Sequence, residues 1–190
     1  MTQSDSVLAP PEEGEQPFIS VDPHIQDYLN KVQDANPVLS LLMTMGVEAD
    51  EAQRKSLAEA LNKKETLNLS QLDLPTLALY NLFIALRSNT TIKNLNLSDN
   101  NIGTFSFLLR ELNLLLVHNQ VLLYLNLNRT QIGNFGVQRL EKGLAQNQGL
   151  KLIQLKDNGI AQSGFNALMR VIGKCENRIL CRDFLQIECI

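Results

Sequence analysis

IKNLNLSDNNIG (residues 92–103), LLYLNLNRTQIG (residues 122–133) and LKLIQLKDNGIA (residues 150–161) are one pattern written three times. Superposed, they read L-x-x-L-x-L-x-x-N-x-I, at steps of 30 and then 28 residues. A unit of this size cannot bury its apolar face alone, so it stacks on copies of itself, and the short stretch between the leucines reads as a strand lining one curved surface. Leu95, Leu97 and Ile102, their counterparts Leu125, Leu127 and Ile132, and then Ile153, Leu155 and Ile160 are expected to point inward. Burying each is worth roughly 1.5–3 kcal/mol.

Counting backwards from Leu97 by 28 residues reaches Leu69, and KETLNLSQLDLP (residues 64–75) becomes a fourth copy. It departs from the pattern at Leu72, which stands where Asn100 and Asn158 do. A short amide at that position can satisfy backbone groups that no strand ladder reaches. Thr130 can do part of this and Leu72 none, so the turn of the first copy is expected to be looser or packed differently. A fifth copy, of ambiguous register, is expected to begin near Asn36, where PVLSLLMTMGV (residues 37–47) precedes a helix-like stretch from Asp50 to Asn62. Each segment between strands reads as a helix closing just before Asn62, Asn89, Asn119 or Asn147, and those asparagines suit the left-handed residue that ends a helix.

The remaining composition agrees with one modest core: 190 residues, 44% apolar and 19% charged. A formal charge of −3 gives no electrostatic reason to expect nucleic acid. No stretch approaches the ~20 apolar residues of a membrane-spanning helix, so no membrane insertion is expected. MTQSDSVLAPPEEGEQP at the start has neither a positive stretch nor an apolar core, and reads as an acidic tail rather than a secretory signal. Asp22-Pro23 makes an N-cap and first-turn proline for a helix to about Asp34. The expected divisions are a tail over 1–21, a helical cap with a degenerate repeat over 22–63, repeats over 64–177, and a C-terminal cap over 178–190.

Residues that carry chemistry are sparse. Cys175, Cys181 and Cys189 are odd in number and lack C-x-x-C spacing, so they read as reduced thiols packed in the terminal cap. His24 falls in the first expected helix, and His118 abuts a helix end, where an imidazole can meet free carbonyls. Neither has a recognisable nucleophile motif nearby. The equivalent positions Gln71, Asp99, Arg129 and Asp157 form a column of mixed sign, as a solvated turn does. There is no glycine-rich phosphate loop. The chain is therefore expected to be non-enzymatic, with no cofactor and no metal.

The IG or IA after the strand, the small residue at Gly136 or Gly164, and the closing run at Leu140, Leu144 and Asn147 resemble the ribonuclease-inhibitor-like subfamily of leucine-rich-repeat proteins over about residues 64–177. That resemblance implies an α/β fold: a solenoid of about four to five repeats, with a short parallel sheet on its concave side and helices on its convex side. QDANP (residues 33–37) and PTLALYNLFIALRSNTTIKNLNL (residues 75–97) are similar to the C-terminal repeat domain of tropomodulins. There is no room for a tropomyosin-binding half, so filament capping is not expected to carry over. Short asparagine-rich solenoids also resemble effectors of intracellular bacteria, which implies a host cytosol; otherwise the expected location is the cytoplasm. Ran GTPase-activating proteins share the repeat type and act through a polar residue at a loop end, which makes a regulator of a partner enzyme the rival reading.

Residues flanking the buried leucines of a strand point the opposite way, to the concave side. One column there reads Asn68, Asn96, Asn126 and Gln154; the columns beside it read Thr66, Asn94, Tyr124, Leu152 and Ser70, Ser98, Asn128, Lys156. Stacked amides can form a hydrogen-bonded ladder that merely tolerates exposure. They can equally form a neutral receptor surface for an unidentified protein, anchored by Tyr124 and Leu152 beside Arg129 and Lys156, since Tyr and Arg recur at interface hot spots. On the helical side, Tyr80, Ile84, Leu108, Leu114 and Val117 fall at outward positions by transfer of the third copy's spacing. Either the two extra residues of the second copy, or the N-terminal helix, cover some of them, or they form an apolar patch for a partner or a homodimer.

Overall fold

A computed structural model describes residues 37–46 and 49–173, together with the backbone of a two-residue strand at 185–186. The elements in chain order are α1 (Pro37–Thr44), α2 (Glu51–Leu61), β1 (Thr66–Asn68), α3 (Thr76–Leu86), β2 (Asn94–Asn96), α4 (Ser106–His118), β3 (Tyr124–Asn126), α5 (Gly133–Gln146), β4 (Leu152–Gln154), α6 (Gln162–Gly173) and β5 (Leu185–Gln186). The expected helix over residues 23–34, the acidic tail and the three cysteines lie outside the described residues, as does most of the expected C-terminal cap. Residues 37–44 of the ambiguous fifth copy are helical.

Each strand is joined to the next through a helix, which requires parallel neighbours. The sheet is parallel throughout in the order β1-β2-β3-β4-β5. Its register pairs Leu67 with Leu95, Leu95 with Leu125, and Leu125 with Ile153. The backbone ladder runs past the strands into the turns, where Gln71, Asp99 and Arg129 N–H groups donate to Ser98, Asn128 and Lys156 carbonyls at 2.9–3.0 Å. The inward columns are buried as expected: Leu69, Leu97, Leu127 and Leu155 form one row, and Ile102, Ile132 and Ile160 another. Helix residues such as Leu79, Phe83, Leu112, Leu115, Leu140 and Leu168 close the core from the other side.

Local signals set the helix ends. Asp50 and Gln53 form a reciprocal capping box on α2, with Asp50 Oδ1 accepting from Gln53 N–H at 2.7 Å. Helix α4 is apolar on most sides because Leu108, Leu109, Leu112, Leu115 and Leu116 are all buried. The expectation that helix-closing asparagines adopt the left-handed conformation is wrong: Asn119 and Asn147 are extended and Asn62 is right-handed. Their side chains explain why. Asn119 Nδ2 donates to Leu86 and Asn89 carbonyls at 2.7 and 3.1 Å, and its Oδ1 accepts from Val121 and Leu122 N–H. Asn147 repeats this one unit on, with Leu116, Asn119 and Leu150. An extended backbone is what lets each amide reach the neighbouring unit. Left-handed residues stand instead at the turn after each strand, at the equivalent positions Gln71, Asp99, Arg129 and Asp157, with φ of 58°, 60°, 53° and 57°.

The turn asparagines work in the same way across units. Asn100 Nδ2 donates to Leu69, Leu97 and Ser98 carbonyls, while its Oδ1 accepts from Leu74 N–H at 2.9 Å. Asn158 bonds to Leu127 carbonyl and accepts from Thr130 and Ile132 N–H. Each buried amide thus serves the unit before its own. Among the described residues β1 is the first strand of the sheet, so Leu72 has no earlier strand to serve. It packs, half-buried, against the core instead. Thr130, fully buried, does part of the work by donating to Leu127 carbonyl at 2.7 Å.

Candidate functional site

Alternation along each three-residue strand turns one leucine or isoleucine into the core and its two neighbours to the open face. The register then lines those neighbours up across strands: Thr66 beside Asn94, Asn94 beside Tyr124, Tyr124 beside Leu152. They bound a shallow depression of about 150 Å³, lined by Thr66, Asn94, Asn96, Tyr124, Asn126, Leu152 and Gln154 over the backs of Leu95 and Leu125. Among the described residues, no ionisable group other than the Tyr124 phenol lines it. Tyr124 is 46% exposed, an aromatic ring standing clear of the core, with half-buried Leu152 next to it.

The amides are not free to swing. Asn68, Asn96 and Asn126 each turn Oδ1 onto the N–H two residues further on, at 3.1, 3.1 and 2.9 Å. Bonds also cross between neighbouring strands on this face, from Asn94 Nδ2 to Thr66 Oγ1 at 3.1 Å and from Lys156 N–H to Asn128 Oδ1 at 2.8 Å. One end of the amide column differs from the rest: Asn68 stands exposed beyond the depression, while Asn96, Asn126 and Gln154 are half-buried within it.

At the C-terminal ends of the strands lies a chain of charges. Arg129 makes a bidentate pair with Asp99, its Nη2 at 2.8 Å from Oδ2, and its Nη1 lies 3.8 Å from Asp157 Oδ2. The hydrogen bond from Arg129 holds the Asp99 carboxyl below its ordinary range, and the same bond raises the guanidinium. Arg129, expected beside the Tyr124 and Leu152 anchor, is thus already engaged by carboxylates of its own chain. Neither it nor half-buried Lys156 lines the depression. At the opposite ends of the strands, Lys93 pairs with Glu65 at 3.0 Å.

The helical face differs from the expectation in one residue and adds others. Leu108 is fully buried, turned inward in the two-residue-longer second unit, and takes no part in any patch. Tyr80, Ile84, Leu114 and Val117 are half-buried. Phe135 and Met169 are exposed, and so are Phe105 and Phe107, whose tilted rings lie 5.9 Å apart, with Phe107 also 6.3 Å from Tyr80. Their signal was available in FSF at residues 105–107, but a leucine-based register points to Leu108. Beneath lies a buried carboxylate, Glu111, bonded by Arg87 from the end of α3 and by Arg110 at 2.9 Å. Burial holds the Arg87 guanidinium below its ordinary value. Farther along, Arg139 lies 4.8 Å over the exposed Phe135 ring.

His118 Nδ1 lies 2.7 Å from Leu114 carbonyl, the helix-end contact expected of it. Among the described residues, no cluster of three or more His, Cys, Asp or Glu could hold a metal ion, and no helix is long and apolar enough to cross a membrane. No protein-family model matches the chain, and comparison with curated proteins gives no match.

Proposed function

We propose that the chain is a non-enzymatic leucine-rich-repeat solenoid of about four to five units that binds a protein partner through its concave strand face. One observation carries the reading: Tyr124, an aromatic side chain 46% exposed, stands beside Leu152 in a depression with no charged group among its described lining residues and with the buried Leu95 and Leu125 as its floor. Large aromatic groups displayed this way supply most of the energy at protein interfaces, and surrounding polar groups exclude water and set orientation. Asn68, Asn96, Asn126 and Gln154 take the second role, with Lys156 at the margin. The sequence resemblance to the ribonuclease-inhibitor-like subfamily and to the tropomodulin repeat domain is consistent with this reading, and the cytoplasm, or a host cytosol for a bacterial effector, is the proposed location.

The rival, activation of a partner GTPase or other enzyme through a polar residue at a strand end, is less well supported, because the strand-end arginine is already held by Asp99. A second surface has its own observation: the tilted cluster of the Tyr80, Phe107 and Phe105 rings on α3 and at the start of α4, suited to a partner or a second copy of the chain. The test compares Tyr124→Ala with Ile84→Lys in capture of a partner from cytosol. Loss of capture with Tyr124→Ala alone supports the concave face. Loss with Ile84→Lys alone moves the interface to the helices.

A further inference from the structure

We propose that the concave face selects a partner segment in the polyproline II conformation, presented as a proline-rich stretch; this rests on the concave-face reading above. It starts from the direction of three amides. Asn68 Oδ1 accepts from Ser70 N–H at 3.1 Å and from its hydroxyl at 2.8 Å; Asn96 Oδ1 accepts from Ser98 N–H at 3.1 Å, and Asn126 Oδ1 from Asn128 N–H at 2.9 Å. A backbone N–H can face only the oxygen of an amide, so these bonds settle which atom is which and turn each Nδ2 away from the turn. Among the described residues nothing accepts a hydrogen bond from those three NH₂ groups.

The three residues are register partners, Asn68 with Asn96 and Asn96 with Asn126. Neighbouring strands lie ~4.8 Å apart, so the donors repeat at that step across the face. The row is electropositive by partial charge and carries no ionised group, the complement of neutral carbonyl oxygens rather than of carboxylates or phosphates.

Spacing then selects the conformation of the carbonyls. Asn68 and Asn126, two strands apart, are separated by ~9.6 Å. A polyproline II chain has three residues per turn and rises ~3.1 Å per residue, so its carbonyls on one face recur every ~9.3 Å. In an extended strand, carbonyls on one side recur every second residue, at ~6.6–6.8 Å, which falls between one step of the row and two. An α-helix has its carbonyls bonded internally. Proline strengthens the match because it keeps the carbonyl and lacks the N–H, so a proline-rich chain offers acceptors to a face that here presents donors. Tyr124 with Leu152 supplies the aromatic and aliphatic wall against which proline rings pack.

The experiment uses the full chain and a fluorescein-labelled decaproline peptide, with a glycine-serine peptide of equal length as control. Saturable binding of decaproline, at least about tenfold tighter than the control, is expected. The double variant Asn68→Asp with Asn126→Asp retains an oxygen for the Ser70 and Asn128 N–H groups and replaces each outward donor by an acceptor. It should weaken decaproline at least about tenfold with the thermal midpoint unchanged. Equal binding of the two peptides, no saturation up to about 1 mM, or an unaffected double variant would overturn the proposal. If decaproline is ignored while Tyr124→Ala still abolishes capture of a cytosolic partner, the polyproline assignment fails and the concave-face reading stands. If capture survives Tyr124→Ala as well, both fail.

Discussion

Replacing Asn100 by alanine, and Leu72 by asparagine, are changes at one column of the repeat with very unequal expected costs. In Asn100→Ala the buried Leu74 N–H loses its acceptor at 2.9 Å, and the Leu69 carbonyl loses its donor at 2.8 Å. Both groups belong to the preceding unit and are shielded from water by Asn100 itself, which is 2% exposed. Stranding a buried polar group costs about 1–3 kcal/mol, so the pair, together with the weaker bonds to Leu97 and Ser98, comes to about 3–4 kcal/mol. For a domain of this size that corresponds to a fall in thermal midpoint of roughly 10 °C. Leu72→Asn restores the repeat pattern, yet it removes a half-buried side chain and gives the new amide no earlier strand to bond among the described residues. It is expected to be neutral or to destabilise by about 1 kcal/mol at most. Urea titration followed by far-ultraviolet circular dichroism on both variants reads the two numbers directly. If Asn100→Ala costs under about 1 kcal/mol, or Leu72→Asn stabilises the protein, cross-unit bonding by the amide is not the reason for the asparagine column.

Other perturbations follow from the same coordinates. Glu111→Ala leaves Arg87 partly buried without its carboxylate and should cost about 3 kcal/mol in denaturant titration, more than the isosteric Glu111→Gln. Gly143→Ala inverts the usual helix preference: a methyl there would meet Asn113 main-chain and side-chain oxygens at 2.7 Å, so a change that elsewhere gains up to about 1 kcal/mol should here cost about 1–3. Asp99 has a folded pKa below its unfolded value because Arg129 donates to it, so its contribution is complete above about pH 4 and is lost as pH falls through the lowered folded value. Asp99→Asn should flatten that acid limb of the stability profile, measured by thermal melts in low salt.

The strands and the core were legible because their spacing is dictated by stacking: a leucine that must meet the same leucine of the next unit leaves little freedom, and Leu67, Leu95, Leu125 and Ile153 pair in register. Tyr124 was legible for the same reason, one position before an inward leucine. The asparagines at the helix ends were placed rightly and given the wrong backbone, since a local rule for ending a helix competes with amides that reach the next unit, and the latter requires an extended chain. Leu108 and the aromatic pair beside it were misjudged because α4 belongs to a unit two residues longer, and transferring a register across an insertion rotates the helix. The engagement of Arg129 by Asp99, 30 residues earlier, was not legible, because repeat spacing alone permits that pairing and does not compel it.

Affinity for a cytosolic partner, compared between the wild-type chain and Tyr124→Ala at equal folded concentration, bears most directly on the concave face as the binding surface. The expected loss is about 2 kcal/mol, a roughly thirtyfold weakening, with fold stability changed by less than about 0.5 kcal/mol because the ring stands outside the core. Unchanged affinity in Tyr124→Ala together with lost affinity in Ile84→Lys would contradict it and assign binding to the helical face.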